Sequence, residues 1–231
     1  MNRTADQRPK AAARNRRVAG MDPEKRRQIL DGAQAIFHAQ GFDAASMNEI
    51  AAAAGVSKGT LYVYFEDKEH LFVALIERER EKHRQHIYDA LTEHPDLPRA
   101  LAGFGANLIR LLTNPFSLSA HRIVLGVAER MPEIGRAFYE RGPLLGGQRL
   151  GAFLEGRVAA GDLAIDDSFL AASQFIDLCQ ATLLRPRLFN ADPQPPSEAE
   201  IRRVVDEAVA MFLARYATTA LRATLNPPRA P

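Results

Sequence analysis

Ser57, Lys58, Thr60, Tyr62, Tyr64 and Lys68 bring hydrogen-bond donors together in one short run. Their chemistry is that of recognition. Lysine donates to guanine O6 and N7, and a threonine methyl can touch a thymine methyl. The hydroxyls of Tyr62 and Tyr64 and the ammonium of Lys68 can reach phosphates. Gly59 lies among them, although glycine costs a helix about 1 kcal/mol against alanine. A glycine suits a place where the backbone must come close to a duplex. Leu61 and Phe65 alternate with these groups and can face inward.

Such residues need a support, and the preceding residues supply one. Ser46 and Glu49 have the spacing of a capping box, which starts a helix. Met47, Ile50, Ala51 and Ala54 give that helix an apolar face. Gly55 follows, where a helix end needs a left-handed backbone. Val56 plugs the turn and Ser57 is a second N-cap, opening a helix over 58–65. Two short helices with a tight turn are helix-turn-helix grammar, whose second helix enters a DNA major groove. A helical hairpin with half-buried tyrosines shares the polar helix starts, but the complete string favours DNA. Before it, Asp22 and Pro23 start a helix that runs to about Gln40. Ile29, Ala33, Ile36 and Phe37 share one of its faces, Gly41 ends it and Phe42 tucks in. Lys25, Arg26 and Arg27 can meet a DNA backbone or simply be solvated.

The run resembles the TetR family of bacterial one-component regulators. The resemblance rests on Gly41-Phe42, Ile50-Ala51, Ala54-Gly55-Val56-Ser57, Gly59-Thr60-Leu61-Tyr62, Tyr64-Phe65 and Lys68. It covers residues 23–72. The family often has Thr at the place of Ser46 and His at that of Tyr64; both changes keep a donor. The DNA-binding set is then Ser46, Ser57, Lys58, Gly59, Thr60, Tyr62, Tyr64 and Lys68. A weaker similarity to AefR-type members lies in residues 121–139 and 163–184.

Length and composition fit this reading. The chain has 231 residues, 46% of them hydrophobic and 25% charged, with a formal net charge of +2. A nearly neutral chain must place its basic residues locally to hold DNA. One cysteine, Cys179, excludes an internal disulfide and fits a reducing, cytoplasmic setting. Its apolar neighbours make it a small buried hydrophobe. No apolar run is long enough to span a bilayer, and no signal peptide is evident. Residues 1–20 form a basic arm that should be disordered in isolation. It either does nothing specific or lies along phosphates.

The rest reads as an all-α body. The expected units are an arm (1–20), a three-helix DNA-binding domain (21–70), an effector-binding and dimerisation domain (71–220) and a tail (221–231). Helices are expected over 68–91, 99–113, 117–130, from 132 to an interruption at Gly142-Pro143, then 144–160, 168–188 and 198–216. A four-residue capping box, Ser197 to Glu200, opens the last. His83 and His86 share a face, but no neighbouring ligand supports a metal site, and no cofactor is expected. Phe104, Leu108, His121, Leu125, Phe138, Tyr139 and Phe175 are candidates to line an effector pocket between helices. Taken singly, each also suits plain core packing. The last two long helices carry more apolar surface than one face needs, which suggests a homodimer.

No nucleophile elbow, paired metal ligands or phosphate loop points to an enzyme. The resemblance implies a repressor that binds a palindromic operator and is released by a small hydrophobic effector. A helical adaptor, or an architectural DNA-binding protein without an effector, is the alternative. Deleting residues 1–20 should weaken duplex binding and flatten its dependence on salt. Titrations at several salt concentrations check this; parallel slopes would exclude the arm from the interface.

Overall fold

The computed structural model describes residues 22–225, and in its longest helix all side chains except those of residues 80 and 82–86. The basic arm over 1–20, the end of the tail and the His83/His86 pair lie outside what is described. Contacts divide the chain into two compact units, one ending at Arg78 and the other beginning at Glu79.

In the first unit, α1 (Pro23–Ala44), α2 (Met47–Ala53), α3 (Lys58–Tyr64) and the start of α4 (Lys68–Glu93) enclose one core. Asp22 caps α1 by accepting from the Glu24 N–H, with Pro23 at the first position. The expected stop at Gly41 is a kink: Gly41 takes φ +80° and three further residues remain in α1. Ile29, Leu30, Ala33, Ile50, Leu61, Leu71, Phe72 and Leu75 are buried together. Each of the leucine, isoleucine and phenylalanine side chains contributes about 1.5–3 kcal/mol on burial. Arg78 closes the α4 side, donating to Asp31 at 2.7 Å and to Gln34 at 2.9 Å.

The second unit contains α5 (Leu97–Thr113), α6 (Pro115–Val127), α7 (Pro132–Tyr139), α8 (Leu145–Ala159), α9 (Ser168–Gln180), α10 (Leu184–Leu188), α11 (Glu198–Tyr216) and α12 (Thr219–Leu225). Its core joins α5, α8, α9 and α11 around Phe104, Phe175 and Phe212. The Phe104 and Phe175 rings lie 6.3 Å apart, and Phe175 meets Phe212 edge-on at 5.3 Å. Cys179 is fully buried in this core. A β-carbon on Gly105 would stand 2.9 Å from its sulfur, so α5 and α9 are close-packed there. Among the described residues, the one β-type pairing is an isolated bridge between Leu163 and Ala217. None of the described helices is long and apolar enough to cross a membrane.

Further boundaries differ from the expectation. The helix expected over 168–188 is two helices, because Ala181 leaves the helical region with ψ 131° and Thr182 has φ +60°. Pro186 then lies in the first turn of α10, where a missing N–H costs nothing. Gly142-Pro143 does not interrupt the chain; a π turn over Glu140–Leu144 carries α7 into α8. The wider turn accommodates the i→i−4 bond that proline cannot make. Finally, Pro98 and Pro115 sit in the first turns of α5 and α6 rather than before them.

Both capping boxes form. The Ser46 N–H donates to Glu49 at 3.0 Å and the Ser197 N–H to Glu200 at 2.8 Å. Arg110 also grips Glu198 with two donors, at 2.9 and 2.6 Å. The serine side chains, then their backbone N–H groups, hold Glu49 and Glu200 below the ordinary carboxylate range. Arg110's hydrogen bond does the same for Glu198. A depressed folded value means that stability is present above the unfolded carboxylate range and is lost as pH falls through the folded value. The melting temperature should therefore fall as the pH drops below the ordinary glutamate range, about 4.3. A variant carrying Glu49→Gln, Glu198→Gln and Glu200→Gln should show a flatter fall in differential scanning fluorimetry.

Candidate nucleic-acid interface

The interface starts with how closely α1 and α2 approach. A β-carbon on Gly32 would fall 2.6 Å from the Ala54 nitrogen, so only glycine permits this crossing. Gln28 on α1 donates to the Ala54 carbonyl at 2.6 Å and satisfies the end of α2. Gly55 then takes φ +61°, and its N–H returns to Ala52 at 3.0 Å. Ser57 accepts from the Thr60 N–H at 3.0 Å and shares a hydrogen bond with the Thr60 hydroxyl at 2.8 Å. An N-cap of this kind is worth about 1 kcal/mol.

The caps fix which way α3 faces. Leu61 is fully buried and Phe65, its C-cap, is nearly so, with the Arg26 guanidinium 5.5 Å from the Phe65 ring. Ser57, Lys58 and Gly59 are exposed and Thr60 is half-buried. Tyr62 is 45% exposed, and the Lys58 ammonium lies 5.9 Å from its ring. A β-carbon on Gly59 would meet only the Ser57 hydroxyl, at 3.9 Å. Packing within the chain therefore does not require glycine there. Val63, 44% exposed, belongs to the same outward face, an addition to the candidates named from the sequence. Its signal was its place next to Tyr62 and four residues after Gly59, and its methyls can meet a thymine methyl.

Three of the sequence candidates have other occupations. Ser46 is half-buried and spent on its cap. The Tyr64 hydroxyl is buried and has no hydrogen-bond partner, so it does not reach outward to a phosphate. Lys68 also turns inward, donating to the carbonyls of Phe42 at 2.7 Å, Asp43 at 3.2 Å and Ala45 at 3.0 Å. Among the nearby basic residues, Arg27 pairs with Glu24 and Lys25 donates to Gln28 at 2.8 Å.

The seven pocket candidates differ in their surroundings. Phe104 and Phe175 are interior to the second core, with half-buried Leu108 packed against it. His121 and Phe138 form a separate edge-on pair at 5.1 Å. Leu125 is 66% exposed and Tyr139 53% exposed. An i, i+4 apolar pattern marks burial without saying whether the buried face meets another helix or a cavity. Among the described residues no group of three or more His, Cys, Asp or Glu could hold a metal ion.

Comparison with known proteins gives matches to both units. The model of "Bacterial regulatory proteins, tetR family" matches residues 29–75, and that of the "AefR-like transcriptional repressor, C-terminal domain" matches residues 99–218. A solved TetR-family regulator from Mesorhizobium loti MAFF303099, itself described as putative, is 31% identical. The match covers 84% of this chain and 98% of that one, with a TM-score of 0.76. The solved "Flavonoid-responsive Regulator FrrA" is 32% identical over 86% of this chain and 100% of its own, with a TM-score of 0.67. The transcriptional repressor Rv1474c of Mycobacterium tuberculosis is 41% identical over 58 residues, 25% of this chain and 31% of that protein. Matches to curated relatives such as this one thus span about a third of their length.

Because the Tyr64 hydroxyl has no partner, Tyr64→Phe should leave duplex affinity unchanged and the melting temperature equal or higher. Tyr62→Phe should leave the melting temperature unchanged and weaken duplex binding by about 1 kcal/mol, the value of one hydrogen bond. Fluorescence anisotropy with labelled duplex, beside thermal melts, separates the two. The reverse pattern would return the Tyr64 hydroxyl to the phosphates.

Proposed function

The chain belongs to the TetR family of bacterial transcriptional regulators, and from that premise we propose that it is a repressor that binds a palindromic operator as a homodimer. The observation that carries this reading is the outward face of α3. Lys58, Gly59, Tyr62 and Val63 are exposed together while Leu61 and Phe65 anchor the helix from behind. Lys58 and Tyr62 are the proposed donors to bases and phosphates. Gly59 lets the backbone approach, and the caps at Ser46 and Ser57 hold the reading helix in place.

The proposed dimer interface uses α9 and α11, a four-helix arrangement from two chains. Phe169 and Leu170 on α9 and Met211 on α11 are exposed apolar side chains, which support it. Two reading helices related by a two-fold axis require inverted half-sites one helical turn, or a multiple of it, apart. The proposed effector is a small hydrophobic or aromatic molecule. In favour is the name of the 32% identical regulator, which is flavonoid-responsive. The effector must bind the DNA-incompetent state more tightly than the DNA-bound one. Helix α4 runs unbroken from the first unit into the second and is the proposed carrier of that difference.

A second reading has an observation of its own. Phe104 and Phe175 are almost fully buried by side-chain packing, which favours an architectural DNA-binding protein without an effector. One set of measurements decides between the two. Sedimentation should give a dimer, and a duplex selected by the protein from a random library should contain an inverted repeat. Flavonoids at a hundred times their dissociation constant should stabilise the free protein by about 2.7 kcal/mol and release the duplex. A monomer, or a selected site without symmetry, would refute the dimeric reading. Binding of DNA with no response to the flavonoids would favour the second.

A further inference from the structure

Helix α1 ends in an unusual way. After the kink at Gly41 the carbonyls of residues 42–45 approach the end of the helix, where no intrahelical donor remains. The Lys68 ammonium supplies the donors. It has three N–H groups, and Phe42, Asp43 and Ala45 provide three carbonyl acceptors within 3.2 Å. The same ammonium lies 4.4 Å from the centre of the Phe42 ring, in cation–π range. Phe42 in turn packs against Phe37 at 5.6 Å and Phe72 at 5.0 Å. Phe72 is on α4 one turn beyond Lys68, so the two side chains hold Phe42 between them. Ala45 immediately precedes Ser46, the N-cap of α2. Whatever fixes the Ala45 carbonyl fixes where α2 begins, and α2 supports α3.

We propose that Lys68 is a positioning residue: it ties the 42–45 segment to the start of α4 and thereby sets the presentation of α2 and α3, instead of neutralising a DNA phosphate. The inference rests on the DNA-binding reading above, but the tether exists in the free protein and can be tested there. To reach a phosphate, Lys68 would have to give up three carbonyls and an aromatic face. Arginine cannot replace it, because a planar guanidinium fork does not converge on three carbonyls as an ammonium does.

The experiment uses the full chain with Lys68→Met, Lys68→Arg and Phe42→Leu, and Lys58→Met as the control on the exposed face. Hydrogen exchange followed by mass spectrometry, without DNA, reads the segment from 42 to 53. Affinity for the library-selected duplex is then measured at several salt concentrations. Lys68→Met and Lys68→Arg should both speed exchange in this segment by about tenfold or more. Both should weaken binding at every salt concentration, with a slope parallel to that of the unmodified protein. Phe42→Leu should do the same to a smaller degree, even though Lys68 is still present. Lys58→Met should leave exchange unchanged and reduce the slope by about one.

The proposal is overturned if Lys68→Met leaves exchange unchanged. It is equally overturned if Lys68→Met reduces the slope by about one while Lys68→Arg restores binding, the signature of a phosphate contact. Should Lys68→Met not fold, Lys68→Arg and Phe42→Leu decide by the same criteria. If the unmodified chain selects no duplex, the DNA-binding reading fails on its own, while the exchange measurement still decides the tether.

Discussion

The first unit depends on one backbone-to-backbone approach. Helices α1 and α2 meet where Gly32 lies against Ala54, closer than any side chain would allow. That contact ends α2 at a fixed place, and Gln28 completes it by taking up the Ala54 carbonyl. The turn that follows has no slack. Gly55 reverses the backbone, Ser57 caps the next helix and Leu61 locks it to the core. The outward face of α3 is therefore a consequence of interior geometry, and the exposed residues are free to be chosen for what they touch.

Local hydrogen bonding was the most legible part of the sequence. The boxes at Ser46/Glu49 and Ser197/Glu200, the cap at Ser57 and the left-handed glycine at 55 need only neighbours within four residues. Chemistry that acts over such a span leaves its full signature in the residue order. The inward-facing anchors Leu61 and Phe65 were readable for the same reason, since helical spacing alone separates the two faces.

What was not legible depends on partners distant in sequence. The residue order shows Lys68 as a free cation, because its three acceptors are more than twenty residues earlier and are backbone atoms. Tyr64 carries a polar tip next to the buried anchor Phe65, and only packing decides that the tip is enclosed. The break after Gln180 has neither glycine nor proline at its centre; Thr182 takes a left-handed backbone that its side chain does not favour. In the second unit, periodicity could place Phe104 and Phe175 on buried faces but could not distinguish a filled interior from a hollow one.

The fate of Cys179 has a chemical consequence. Burial against α5 and α11 pushes its thiol up to about 12. At neutral pH the thiolate, which is the form that attacks oxidants and electrophiles, is then scarcer than the thiol by about five orders of magnitude. The Cys179 thiol therefore offers peroxides, disulfides and alkylating agents no thiolate to react with while the fold is intact. A switch built on thiol–disulfide exchange at Cys179 would first have to open the core that encloses it.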